Sequence, residues 1–278
     1  MKYAVWSNYL NESTATSPEE MVVAFAKKGW FNLELSTEHA EELIMRGDPM
    51  AVGAEFKAFA DSRGVTFPQG HLWLGVDIVG PQPEESVKLI KSWLDLFYAV
   101  GVKACVLHAG GGWMRKNGAS EDEIDAANVK SLKALCAHIE GRDMYICLEN
   151  LIASYTRVSD LRRLIDAVGS SQLKICLDTG HLNITGGSPA EFVGDAGPLL
   201  KALHIDDNEG EHDQHLIPYG TGNVLWDELL CALAAMSEPY DGLFNFEIPG
   251  ESGAPPEILL AKLDYLREVA AYMIGKIR

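Results

Sequence analysis

Short apolar runs of strand length alternate along this chain with longer stretches whose apolar residues recur every three or four positions. Lys2–Trp6, Phe31–Leu35 and Val65–His71 predict the first three strands, the third the least regular because it contains Pro68 and Gly70. Further runs end at His108, Glu149, Asp178, His204 and Glu247, each about the length of a buried strand. Between them lie helical signatures. Ser17-Pro18-Glu19-Glu20 combines a capping Ser, Pro at the first helical position and Glu at the third, and predicts a helix running to Gly29. A polar loop through Asn8 and Asn11 precedes it. Another helix covers roughly Pro49–Ser62. Val87, Ile90, Leu94, Phe97 and Tyr98 form one helical face, and Ser120-Glu121-Asp122-Glu123 is a second capping box. Val158, Leu161, Leu164, Ile165 and Val168 mark a further amphipathic helix, and Ser188-Pro189-Ala190-Glu191 opens the next. A polar loop to about Asn223, a helix to Met236 and a closing helix carrying Leu259, Leu263, Leu266 and Met273 complete the pattern.

The pattern amounts to eight strand–helix pairs with no linker or composition break. Strands alternating with helices imply a parallel sheet with right-handed crossovers. Eight such units in 278 residues fit one α/β domain over residues 1–278, a (β/α)8 TIM barrel with its site at the C-terminal strand ends. Chemically capable residues sit at those ends. His71, His108, Glu149, Asp178, His204 and Glu247 end strands three through eight, and His181 and the pair Asp213/His215 lie in the following loops.

One buried histidine or aspartate is ordinarily a satisfied structural group. In a barrel, however, all of these groups point at one axis, and so many carboxylates and imidazoles pack poorly without cations. Mixed His and carboxylate ligands suit Zn²⁺ or Mn²⁺. Glu34, ending strand two, is read as a substrate contact or an ion-pair partner. Arg115 and Lys116, in the loop after His108, are candidates for binding a phosphate, and Trp113 for stacking on a sugar or covering the mouth. His39 and His138 fall off the pattern and read as surface or packing residues, and Gly220-Thr221-Gly222 as a turn.

Charge changes the picture. Lys plus Arg total 23 against 40 for Asp plus Glu, a formal −17, which disfavours a nucleic-acid substrate. No stretch approaches the roughly 20 consecutive apolar residues of a membrane span. The cysteines at 105, 136, 147, 176 and 231 form no CxxC pair and read as inert core thiols in a reducing cytoplasm.

Leu-Glu-Asn at 148–150, Leu-Asp-Thr-Gly-His at 177–181, His-Ile-Asp-Asp-Asn at 204–208, Asp-Gln-His-Leu-Ile-Pro-Tyr-Gly-Thr-Gly at 213–222 and Phe-Glu-Ile at 246–248 resemble the xylose isomerase-like TIM-barrel superfamily. That superfamily contains sugar isomerases, ketose 3-epimerases, inosose dehydratases and endonuclease IV. The ketose 3-epimerase resemblance implies one metal on Glu149, Asp178, His204 and Glu247. The two glutamates would then move a proton beside a carbonyl, the metal would stabilise an enediolate, and His181 would touch the substrate. The endonuclease IV resemblance implies three zinc ions: one on His71, His108 and Glu149, a second on Glu149, Asp178, His204 and Glu247, and a third on His181, Asp213 and His215. The chain departs from both branches. No Arg lies between His204 and Trp226, Gln214 stands where endonuclease IV has Arg, and Gly180 stands where it has Cys.

The expectation is a cytoplasmic, metal-dependent isomerase or epimerase of a small ketose, polyol or sugar acid, with one to three Zn²⁺ or Mn²⁺ ions per chain. The alternative enzyme is a multinuclear zinc phosphoesterase resembling endonuclease IV. A sugar-binding barrel without turnover is the third reading, and the paired Glu149 and Glu247 count against it. Self-association into a homo-oligomer is compatible with the sequence.

Overall fold

Strand β1 (Lys2–Trp6) pairs in parallel with both β2 (Asn32–Leu35) and β8 (Leu243–Phe246), so the first and last strands are neighbours. The computed structural model describes residues 1–10, 16–251 and 253–277; Asn11, expected in the first loop, lies outside them. From β2 the sheet continues in chain order through β3 (Thr66–His71), β4 (Ala104–Leu107), β5 (Tyr145–Glu149), β6 (Leu173–Asp178) and β7 (Leu200–His204), every pair parallel. The circle closes between β7 and β8 through the parallel bridge Ile205–Phe246. There Ile205 N donates to Asn245 O at 2.7 Å and Glu247 N donates to Ile205 O at 3.2 Å. Closure is therefore made at the C-terminal rim, beside His204 and Glu247.

Around this (β/α)8 barrel lie α1 (Pro18–Lys27), α2 (Thr37–Met45), α3 (Pro49–Asp61), α4 (Pro83–Val100), α5 (Gly112–Lys116), α6 (Glu121–His138), α7 (Val158–Val168), α8 (Thr179–Ile184), α9 (Pro189–Ala196), α10 (Trp226–Ala234) and α11 (Pro256–Ile277). Both capping boxes form. Ser17 Oγ and Ser120 Oγ accept from the backbones of Glu20 and Glu123, whose carboxylates bind back to the cap residues. Helices α2, α5 and α8 sit within stretches the sequence pattern left as loops. The first hides because its buried positions, Thr37, His39, Ala40 and Leu43, mix polar and apolar residues. The second has no buried residue, and the third is only 6 residues long, too short to show a period.

Alternation along the strands sorts the barrel interior into layers. Val106, Cys147, Cys176 and Ala202 form a small apolar layer. Two residues further along the same strands, on the same face, stand His108, Glu149, Asp178 and His204. His108 and Glu247 lie one residue past their strands rather than within them. The large aromatic side chains, including Trp30, Trp93, Phe25 and Phe97, fill the layer between sheet and helices. Gly70 marks a close approach there, since a Cβ would lie 2.7 Å from the Phe97 ring. Two expectations need correction. Cys231 is exposed on α10 rather than a core thiol, and Tyr98 is 43% exposed at the edge of its helical face.

His39 is a packing residue, buried with Nδ1 2.9 Å from Ser7 Oγ and 3.2 Å from Ser36 Oγ. Burial disfavours its cation and lowers its pKa to about 4. An unfolded histidine protonates near 6.5, so below that pH the unfolded chain binds a proton that the folded one refuses. Stability is therefore expected to fall as pH drops from about 6.5 to 4, by on the order of 3 kcal/mol for this residue. Denaturant melts of the native chain and His39→Gln across that range check this, the variant showing the shallower dependence.

Candidate metal centre and active site

Glu149 is the hub of the barrel mouth. Its Oε1 lies 3.3 Å from His181 Nδ1 and 3.4 Å from His204 Nδ1. Its Oε2 lies 3.4 Å from His71 Nε2 and 3.0 Å from His108 Nε2. Asp178 and Glu247 complete the ring, and one donor atom each from Glu149, Asp178, His204 and Glu247 falls within 4.8 Å of the others. A second such group joins His71 and His204 to Glu149, and a third is Asp206, His215 and Glu247.

Four of the five imidazoles are anchored through one nitrogen. His71 Nδ1 donates to Leu72 O at 2.7 Å, His181 Nδ1 to Asn150 O at 2.9 Å and His215 Nδ1 to Glu247 O at 2.7 Å. His204 instead uses Nε2, 2.9 Å from Glu34 Oε1, which leaves Nδ1 facing the cluster. Metal-binding histidines are oriented in this way, the far nitrogen held by a carbonyl or carboxylate. Glu34 is itself held by Gln69 Nε2 at 3.3 Å and by Asn245 Nδ2. It is wholly buried and paired with His204. The ion-pair reading of Glu34 therefore describes its contacts, and no surface remains for the substrate contact expected as the alternative.

The clustered carboxylates and imidazoles shift one another's pKa values in opposite directions. Burial would raise the Glu149 pKa, but the His204 and His108 imidazoles override it and hold the carboxyl well below the usual range. Glu247, opposed by burial but beside His204 and His215, is held at about 2. Asp178 goes the other way, raised to about 7 by burial and by Glu149, despite His181. Burial disfavours the His204 cation, yet Glu247, Glu34 and Glu149 push its pKa well above the ordinary value. Two buried atoms, Asp178 Oδ2 and His204 Nδ1, have no hydrogen-bond partner. His204 Nδ1 lies 3.1 Å from Glu247 Oε2 without hydrogen-bond geometry. Orphaned donors at this depth, among mixed His and carboxylate groups, fit a divalent cation.

Asp213 stands at the open side. Its Oδ2 lies 3.3 Å from His181 Nε2 and its Oδ1 3.4 Å from His215 Nε2. Side chains there keep some exposure, His108 and Asp213 34% each and His215 24%.

Three expected substrate contacts lie on α5. Trp113 lines an apolar groove on the outer face with Val79, Pro83 and Val87. Arg115 is engaged by Glu121 through two 2.8 Å bonds. Lys116 is exposed at the end of α5. Sequence reasoning also missed Asp206, which is fully buried, with its carboxyl raised well above the usual range by burial and by Asp178. A period-2 signal was present. Asp206 follows His204 by two on the extended backbone that makes the closing bridge.

A family model described as a xylose isomerase-like TIM barrel matches residues 28–269. The chain belongs to the xylose isomerase-like TIM-barrel family. Within this family it is 28% identical over 194 residues to the uncharacterized protein y4fM of Sinorhizobium fredii, covering 69% of this chain and 59% of that one. It thus spans less than two thirds of that relative's length. It is 24% identical over 259 residues to a D-psicose 3-epimerase of Enterocloster bolteae, covering 86% of this chain and 82% of the other. The crystal structure of D-psicose 3-epimerase with D-tagatose from Clostridium cellulolyticum superposes with a TM-score of 0.80 at 20% identity, covering 98% and 99% of the two chains. That likeness establishes the fold these xylose isomerase-like proteins share. No helix among the described residues is long and apolar enough to cross a membrane.

The clamp beneath His204 has a measurable consequence. Glu34→Gln keeps the volume but weakens the hold on Nε2, and divalent-metal affinity is expected to fall about 10- to 100-fold. Calorimetric titration of metal-stripped protein with Mn²⁺ measures this; unchanged affinity would show that Glu34 does not orient the ligand.

Proposed function

We propose that this chain is a metal-dependent sugar isomerase or epimerase acting on a small ketose, polyol or sugar acid. The observation that carries the reading is the approach of both Glu149 and Glu247 to His204 Nδ1, at 3.4 and 3.1 Å. Two carboxylates converging on one spot suit the transfer of a proton at a carbon beside a carbonyl. The D-psicose 3-epimerase relative supports the same class of chemistry.

Glu149, Asp178, His204 and Glu247 would hold the cation, which when bound supplies Lewis-acid polarisation of the substrate's oxygens. The remaining work falls to side chains. Both glutamates favour the carboxylate form, so either can accept the proton. One takes it from the carbon, leaving an enediolate. The other, once it has taken a proton from solvent, delivers it either to the opposite face of that carbon, which is epimerisation, or to the neighbouring carbon as a proton moves between the two adjacent oxygens, which is isomerisation. The first glutamate then releases its proton to solvent. His181 and Asp213, at the open side, are placed to hold a hydroxyl. The small apolar layer below, with Cys147 and Cys176, closes the floor against water.

A second reading draws on two convergences, His71 and His108 on Glu149 Oε2, and His181 and His215 on Asp213. These match the donor sets of a three-zinc phosphoesterase. Three bound zinc ions and cleavage of an abasic-site duplex would sustain that reading. The acidic excess and the engagement of Arg115 by Glu121 count against it.

Incubating the metal-loaded protein in D₂O with a panel of ketoses and sugar acids tests the first reading. Solvent deuterium is expected at a carbon beside the carbonyl of at least one sugar. Glu149→Gln and Glu247→Gln are each expected to lower that exchange by roughly 100- to 10,000-fold. Absence of deuterium at every carbon across the panel would sink the proposal.

A further inference from the structure

A groove of about 500 Å³ opens on the outer wall of the barrel, where α4, α5 and α6 meet. Val79 and Val87 on its lining are buried, and Trp113 beside them keeps 46% of its surface exposed. Volume and lining are those of a small-molecule site, an apolar hollow with a few polar groups at its edges. An aromatic ring left half open there favours an apolar occupant, because covering it removes further apolar surface from water. None of these residues belongs to the carboxylate and imidazole groups of the mouth.

Glu84, Lys91, Lys130 and Ser131 also line the groove. Ser131 Oγ already donates to Ile78 O at 2.8 Å. Glu84 lies in the first turn of α4, where a helix N-terminus favours a carboxylate. It stands two turns, about 10 Å, from Lys91 along that helix. The two lysines mark the other end. Each sits midway along its helix, Lys91 on α4 and Lys130 on α6. Both helices start at the C-terminal rim and run down the barrel wall, so the lysines flank the groove at one level. Among the described residues neither has an ion-pair or hydrogen-bond partner, in a chain with 40 acidic residues. Their stems can cover apolar surface while the ammonium groups stay open to an anion.

We propose that this groove binds a small amphiphilic anion, an aromatic or medium-chain carboxylate or sulfonate. Its apolar body lies against Val79, Val87 and Trp113, and its head lies between Lys91 and Lys130. The site is separate from the metal centre, and the inference does not rest on the isomerase reading.

Fluorescence titration of the full chain with anilinonaphthalenesulfonate, a probe of that shape and charge, tests the proposal. One saturable site is expected, with equal affinity in metal-stripped and metal-loaded protein. Octanoate is expected to displace the probe, and octylammonium to leave it bound. Lys91→Gln and Lys130→Gln are each expected to weaken binding about 2- to 5-fold, the scale of an exposed charge pair. Trp113→Ala is expected to weaken it at least about 10-fold, as loss of an aromatic anchor does. Lys88→Gln and Lys133→Gln, on the same two helices but outside the groove, are expected to leave it unchanged. Equal losses in all four lysine variants would mean attraction to net charge alone. Binding abolished by metal loading would place the probe at the mouth, and binding that weakens as copies of the chain associate would give the groove to a second copy. Any of these results, or no binding at all, overturns the proposal. The deuterium-exchange test stands apart from every one of them.

Discussion

A carboxylate two layers deep, Glu34, pins the imidazole of His204, and the rest of the mouth is arranged around the nitrogen this leaves free. His204 has no exposed surface, and its Nδ1 faces Glu149 and Glu247. Without the 2.9 Å contact from Nε2 to Glu34 the ring could turn, and the two glutamates would lose their common partner. Gln69 and Asn245 in turn hold Glu34, so the clamp draws on strands β2, β3, β7 and β8 together. Buried polar groups of this kind stabilise only when each has its partner. Unmet atoms remain at the mouth, on Asp178, His204 and Asp206, and in the clamp itself, on Gln69 Oε1 and Asn245 Oδ1.

The barrel's closure serves the same centre. Strands β7 and β8 meet through the Ile205–Phe246 bridge, one residue from His204 and one from Glu247. A further backbone pairing between Asp207 and Leu216 folds the following loop back over the rim and brings Asp213 and His215 to the open side. Asp207 secures that loop by accepting from Val224 N and Trp226 Nε1, each at 3.0 Å. Short-range backbone bonding at the rim therefore sets distances among residues more than 30 positions apart in the chain.

The strong negative charge of the chain acquires a local meaning at the mouth. Carboxylates from β5, β6, the β7 extension and the residue after β8 crowd one volume, offset only by imidazoles. Arg115, a candidate counter-charge in the sequence, pairs with Glu121. A concave site of this sign repels a polyanion.

Much of this was legible along the chain. Strand and helix alternation declared the barrel, because a parallel sheet buried on both faces needs apolar runs and crossover helices. The fold then implied that residues ending successive runs, His71 through Glu247, share one mouth. Capping boxes at Ser17 and Ser120 were readable because a cap is a contact between residues three apart. What the chain alone left open were relations between residues that lie far apart in sequence. Glu34 as substrate contact or buried clamp depended on a histidine 170 positions away. Trp113 and Arg115 looked like mouth residues until α5 turned them toward an outer groove and Glu121. Asp206 showed its character only when the surrounding packing removed every hydrogen-bond partner from its carboxyl. Periodicity and spacing decide which way a backbone runs and which face a residue takes. Packing alone decides which distant group meets it there, and so whether a buried charge is paired or left without a partner.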